Sequence, residues 1–232
     1  MRPIYVETLV RAGLEPLWRA TQDPGEHQRW DARFGRISYL PRPDGQPQRF
    51  RYATTVLPGL TVHGVGVSAG ERVRPDGTRT SVLRFRAEHP LSLVDTGSGY
   101  WRYVPVPGGT RFLTGYDYRP GWGRPGTVAD RLFRPVFGWL TAWSFDRLRL
   151  WLDHGIDPRR SLAHALAETA VRAAVTVAAA LLGGPVAGLA AGVLALAVPP
   201  HPATPAARRC LRRPPDRTAA TAPARLDPLE QP

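Results

Sequence analysis

Six histidines, one cysteine and a set of aromatic residues are the side chains of this 232-residue chain best suited to chemistry. The histidines (His27, His63, His89, His154, His164 and His201) form no His-x-x-x-His pair and read as having no acidic cluster beside them, so no metal site is expected. No glycine-rich phosphate loop follows a strand and no Gly-x-Ser-x-Gly elbow occurs, and no cofactor is implied. Cys210 is solitary, which excludes a disulfide framework; in its arginine-rich surroundings it reads as an incidental exposed thiol. His63 is the weak catalytic candidate, because strand alternation places it on an apparently inward face and imidazole titrates near neutrality. A histidine satisfied by a carbonyl, or simply exposed, is the plainer reading. Asp117 alternates with Tyr116 and Tyr118 and so should pair with an arginine on the wet face. Trp30, Phe50, Tyr52, Phe85, Trp101, Tyr103, Phe112, Tyr116 and Tyr118 could line a ligand cavity or fill a core. As cavity walls they suit an apolar ligand with one or two polar groups.

The elements that would position these residues fall within about 1–155. Ile4–Val10 reads as a strand, Gly13–Thr21 as a helix, and Asp23-Pro24 as the N-cap and first turn of a second short helix ending near Asp31. Strand patterns follow at 34–40, 48–57, 61–73, 80–88, 91–104 and 110–119, separated by turn signals such as Pro75-Asp76-Gly77. One apolar and one charged face per strand implies an antiparallel sheet with one side covered and the other in water. Residues 127–154 carry a wide apolar stripe, so this long helix is the expected cover, with Pro135 kinking it or splitting off its first turn.

This order resembles the START-like, or SRPBCC, superfamily, which includes polyketide cyclases and lipid-transfer domains. The resemblance rests on Leu17-Trp18, Asp23-Pro24 and Arg29-Trp30-Asp31, on Gly99-Tyr100-Trp101-Arg102-Tyr103, on Gly108-Gly109-Thr110-Arg111-Phe112, and on Phe145-Asp146-Arg147-Leu148 with Trp151-Leu152. It covers residues 3–153. It implies an α+β helix-grip fold: a curved antiparallel sheet of about seven strands wrapped on a long C-terminal helix, with an apolar cavity between them. It implies no shared catalytic residue, since members differ in chemistry and many only bind.

Residues 156–200 form a second part. Asp157-Pro158 starts another helix, and Glu168 precedes Arg172 by four residues, the favourable order for an ion pair. Residues 173–198 carry no charge and, as one helix, would reach roughly 39 Å against a hydrocarbon core of about 30 Å. A transmembrane helix kinked at Gly183-Gly184-Pro185 is the leading expectation. A re-entrant hairpin and a soluble helical hairpin are the alternatives. Gly184, Gly188 and Gly192, at every fourth residue, suit self-association of helices. The third part, 201–232, is rich in Pro, Ala and Arg and reads as a disordered tail whose arginines would lie near an anionic membrane surface.

All 31 basic residues are arginine, and the net charge is +12. In residues 1–172 the arginines are interleaved with acids, as on an ordinary solvated surface, so nucleic acid is not an expected partner. Five arginines after the apolar run, against three before it, place the tail in the cytoplasm. Met1-Arg2-Pro3-Ile4 leads into a strand without a signal-peptide pattern, which places residues 1–155 there too; the two indications conflict for a single span, and a re-entrant hairpin satisfies both. The functional expectation is a membrane-tethered START-like domain that binds a lipid or other hydrophobic small molecule. The alternatives are a cyclase or dehydratase on the same scaffold, or a non-enzymatic envelope interaction protein.

Overall fold

The computed structural model describes residues 2–226, 229 and 232. Its elements are β1 (Ile4–Val10), α1 (Leu14–Gln22), α2 (Pro24–Trp30), β2 (Arg36–Tyr39), β3 (Gln48–Leu57), β4 (Leu60–Val73), β5 (Arg79–Ala87), β6 (Val94–Val106), β7 (Gly109–Pro120), α3 (Gly123–His154) and α4 (Pro158–Ala197). Beyond α4 come a short 3-10 turn at Ala207–Arg209, α5 (Arg217–Ala220) and a second 3-10 turn at Ala224–Leu226. The seven strands form one antiparallel sheet in the order β1-β7-β6-β5-β4-β3-β2. This is the α+β helix-grip architecture that the sequence implies.

Local chemistry sets the element boundaries. The Asp23 carboxylate accepts the Glu26 amide at 3.0 Å and starts α2. Asp157 accepts the Arg159 amide at 2.8 Å and starts α4. Gly155, in the left-handed conformation, ends α3. Pro135 lies inside α3 and does not split it.

The space between sheet and α3 is filled at one end and open at the other. The filled end packs Val6 and Val10 of β1, Leu17, Trp30, Tyr103, Phe112, Phe145 and Leu148, all with essentially no exposure. Phe112 stacks on Phe145 with centroids 4.5 Å apart, and the Trp30 indole donates to the Ala20 carbonyl at 2.8 Å. At the open end, the inward face of the sheet alternates aromatic residues with glycine. Phe50 pairs with Gly66 and Tyr52 with Gly64, while Phe85 lies between Gly66 and Gly97. A Cβ at Gly66 would come within 2.2 Å of the Phe50 ring, and one at Gly97 within 2.3 Å of the Phe85 ring. Glycine therefore lets these rings lie along the sheet, so they do not fill the space above it.

Three expectations are corrected. His63 is exposed on the outer face, with its ring 5.5 Å from that of His89; the inward positions of β4 are Val62, Gly64, Gly66 and Ser68. The tail is packed, not disordered, over its described residues. Leu211 bridges Glu7 at the edge of β1, and Ala219, Leu226 and Leu229 cover Tyr5, Val67, Val82, Tyr100 and Leu113 on the outer face of the sheet. Part of the face expected to be wet is therefore dry. Cys210 is buried, donates to the Ala142 carbonyl at 3.3 Å, and has its thiol pushed up to about 12 by burial.

The apolar run is a hairpin, not one straight kinked span. At Gly184 (φ 81°, ψ 177°) the chain leaves helical geometry and reverses. The Gly188 position lies against Ala180 and Gly192 against Thr176, so two glycines of the expected association stripe serve the close approach of the chain's own arms. Arg172 closes the base by donating to the carbonyls of Ala195, Val198 (3.0 Å) and Pro199 (3.1 Å).

Candidate functional site

The open end of the sheet–helix space is a cavity of about 490 Å³. Its walls come from α1 and α2, from the inward faces of β2 to β7, and from Phe133 and Phe137 of α3. Of the sequence candidates, Phe50, Tyr52, Phe85, Trp101 and Tyr116 line it. Trp30, Tyr103 and Phe112 belong to the filled end, and Tyr118 donates to the buried Asp130 carboxylate at 2.5 Å. Asp117 pairs with an arginine as expected, but the partner is Arg134 of the covering helix α3, at 2.6 Å, not an arginine of the wet face.

The polar feature of this apolar space comes from residues that sequence reasoning passed over. Asp31, which follows α2, is fully buried and accepts from four donors. These are His27 Nε2 (2.9 Å), Arg33 Nε (2.9 Å), Arg33 Nη2 (2.6 Å) and the Arg33 amide (3.1 Å). Both His27 and Arg33 line the cavity. Burial alone would raise the Asp31 carboxyl, but the Arg33 charge and the bonds from Arg33 and His27 outweigh it and hold the group well below the usual carboxylate range. Burial pushes His27 the other way, below its ordinary value despite the favourable Asp31 contact. The imidazole is therefore neutral at pH 7. An ionised Asp31 fixes the proton on Nε2 and leaves Nδ1 as the acceptor. The ring is also clamped by aromatic neighbours, stacked on Trp30 (5.0 Å) and edge-on to Trp101 (4.9 Å).

Tyr116 extends the cluster toward α3. Thr141 donates its hydroxyl proton to the Phe137 carbonyl (2.8 Å), so the Tyr116 hydroxyl 2.7 Å away is the donor of that pair. Its proton is thus committed within the protein. The Arg33 guanidinium carbon lies 5.5 Å from the Tyr116 ring centroid and 5.8 Å from that of Phe137, where the positive charge meets the ring faces. The available signal was His27-x-x-x-Asp31, an i,i+4 pair on one helix face, followed two residues later by arginine.

At the rim of the cavity the apolar side chains are exposed or half-buried. Exposed Val56 and half-buried Leu60 flank the β3–β4 turn, exposed Leu91 lies in the β5–β6 loop, and exposed Trp122 lies between β7 and α3. The Trp122 indole donates to the Pro90 carbonyl at 3.1 Å, which ties two of these segments together.

A seven-stranded antiparallel sheet gripping a long helix over an apolar cavity is the START-like helix-grip fold, and the chain has that fold. Among solved structures it is similar to the di-domain ARO/CYC StfQ of the steffimycin biosynthetic pathway, at a TM-score of 0.50 and 15% identity. That match covers 66% of this chain and 50% of StfQ. It is also similar to a STAR-related lipid transfer protein fragment from Xanthomonas axonopodis, at a TM-score of 0.47 and 19% identity, covering 63% of this chain and 82% of the fragment. No protein-family model matches. In sequence, the chain is 44% identical over 167 residues to the uncharacterized membrane protein YndG of Bacillus subtilis (strain 168). The match takes in 71% of this chain, and the chain spans 62% of the length of that relative.

Proposed function

We propose that this protein is a membrane-tethered binding domain whose cavity holds a lipid or other hydrophobic small molecule with one polar end. The observation that carries this reading is the cavity itself: about 490 Å³, apolar-walled, with one charge-balanced polar cluster on its side. That volume falls within the usual range for small-molecule sites. The inward glycines support the reading further, since a core meant to be solid would carry side chains at Gly64, Gly66, Gly97 and Gly99. The apolar tail of a ligand would lie against Phe50, Leu83 and Phe85, and its polar end would meet His27 and Arg33. The lipid-transfer and cyclase neighbours share the fold, and the curated relative is named a membrane protein. The apolar hairpin supplies the tether. Exposed Arg159, Arg160, Arg208, Arg212 and Arg213 flank it and suit an anionic cytoplasmic surface.

The test is retention of ligand by the full chain purified in detergent. Organic extraction and mass spectrometry should show an apolar compound near one per chain, reduced at least tenfold in Leu83→Trp, which narrows the cavity. An equal yield from Leu83→Trp, with the fold intact, would overturn cavity binding. The second reading, an enzyme on the same scaffold, is favoured by one observation: His27 is a neutral imidazole on the cavity wall with its tautomer fixed by a buried carboxylate. In that reading His27 replaces His63 as the acid–base group.

A further inference from the structure

We infer that the α4 hairpin enters a single leaflet of a phospholipid bilayer and returns to the face it came from. The inference deepens the tether reading and rests on it. The first argument is connectivity. The chain enters α4 from the domain, with Arg29 paired to Asp157 at 2.8 Å and Arg147 donating to the Pro158 carbonyl at 2.8 Å. After α4 it returns to the same domain. The Ala206 amide and Arg209 both donate to the buried Asp146 carboxylate, at 2.8 and 2.9 Å, and Leu211 exchanges backbone hydrogen bonds of 2.9 Å with Glu7. A bilayer cannot pass between two segments that pack on one folded unit.

The second argument is depth. From Arg172, the last charged residue of the ascending arm, to the reversal at Gly184 are eleven uncharged residues. They rise about 17 Å, half of a hydrocarbon core of about 30 Å. The third is polarity along the hairpin. At its base, Glu168 pairs with Arg172 at 2.5 Å and accepts the His201 amide at 3.1 Å, so charge and free carbonyls are matched there. At its tip, Leu181, Leu182 and Val186 are almost wholly exposed, 91% for Leu182. Away from their ends, the two arms satisfy their backbone groups within their own helices, as an apolar medium requires.

The experiment uses the full chain in a bacterial membrane and a membrane-impermeant maleimide. Cys210 is buried with its thiol pushed up to about 12, so the native chain is the unlabelled control. Single cysteines go at exposed positions of α4 ahead of its charge-free run (Ala163→Cys), after the hairpin (Thr218→Cys) and at its tip (Leu182→Cys), with Ala167→Cys and Ala220→Cys as a second flanking pair. The expected result is labelling of both flanks from the same face of the membrane, by more than tenfold over the opposite face, and no labelling of the tip from either. Flanks labelled from opposite faces, or a tip labelled from the far face, would overturn the inference and leave the tether intact. Release of the chain by carbonate washing, including release as a soluble dimer, would overturn both.

Discussion

Asp31→Asn tests whether the buried cluster is an electrostatic unit. The carboxylate has no exposed surface, and Arg33, at 8% side-chain exposure, pairs with no other carboxylate among the described residues. Asparagine keeps the shape but removes the charge, leaving a guanidinium buried without its counter-ion. Breaking a buried pair in this way costs about 3–5 kcal/mol, and the amide oxygen still accepts one bond, so the lower end, about 3 kcal/mol, is expected. For a chain of this size that lowers Tm by about 6–12 °C. Intrinsic tryptophan fluorescence is the readout, since Trp30 and Trp101 both contact His27. The double variant Asp31→Asn/Arg33→Met removes both charges and should recover most of the loss, because an apolar side chain suits the cavity wall. A single variant that melts within about 2 °C of the native chain, or a double variant worse than the single, would refute the reasoning.

Other consequences follow from the same geometry. Because both Asp31 and His27 have folded-state values below their ordinary ones, the unfolded chain binds more protons in acid, and stability must fall with falling pH. The decline should begin near the ordinary histidine value of about 6.5 and steepen below the ordinary carboxylate value of about 3.9. Denaturation midpoints measured from pH 8 to 2.5 should show both stages, and His27→Gln should remove the upper part. Gly66→Ala places a methyl against the Phe50 ring and should cost about 1–3 kcal/mol by overpacking, read by thermal melting; a neutral result would mean the ring moves freely. Cys210 should stay unmodified by a thiol reagent in the folded protein and react on unfolding, as intact mass would show. Truncation after residue 210 should expose Tyr100, Val67 and Val82 and increase binding of an apolar dye, because α5 no longer covers them.

The sheet, the long helix and the break at Gly183-Gly184-Pro185 were legible because alternation, the apolar stripe and helix breakers are local signals. The inward face of β4 was not. His63, Val65, Val67 and Ala69 look more apolar than Val62, Gly64, Gly66 and Ser68, yet the latter face the cavity. A cavity wall needs small residues, which a hydrophobicity pattern scores as blank, while Val67 is dry for a different reason, the covering tail. The tail itself was misread because its docking relies on backbone carbonyls. Tyr100 donates to the Ala219 carbonyl at 2.8 Å and Arg102 to those of Thr218 and Thr221 at 2.5 and 2.8 Å. Composition says nothing about such bonds. The cluster at Asp31 pairs unlike residues across a helix end, a single acid four residues from a histidine, which a pattern of grouped acids does not reveal.

The return of the chain from the hairpin to Asp146 and Glu7 also has a mechanical meaning. A domain on one flexible stalk sweeps a wide arc over the membrane and presents its opening there only a small fraction of the time. Two separate footings, one through Asp157 and Pro158 and one through Ala206 and Leu211, remove that swivel. Under the proposed single-leaflet insertion, the angle of the domain to the bilayer would be a built-in property. Under the proposed cavity binding, a molecule moving between lipid and cavity would then follow one path.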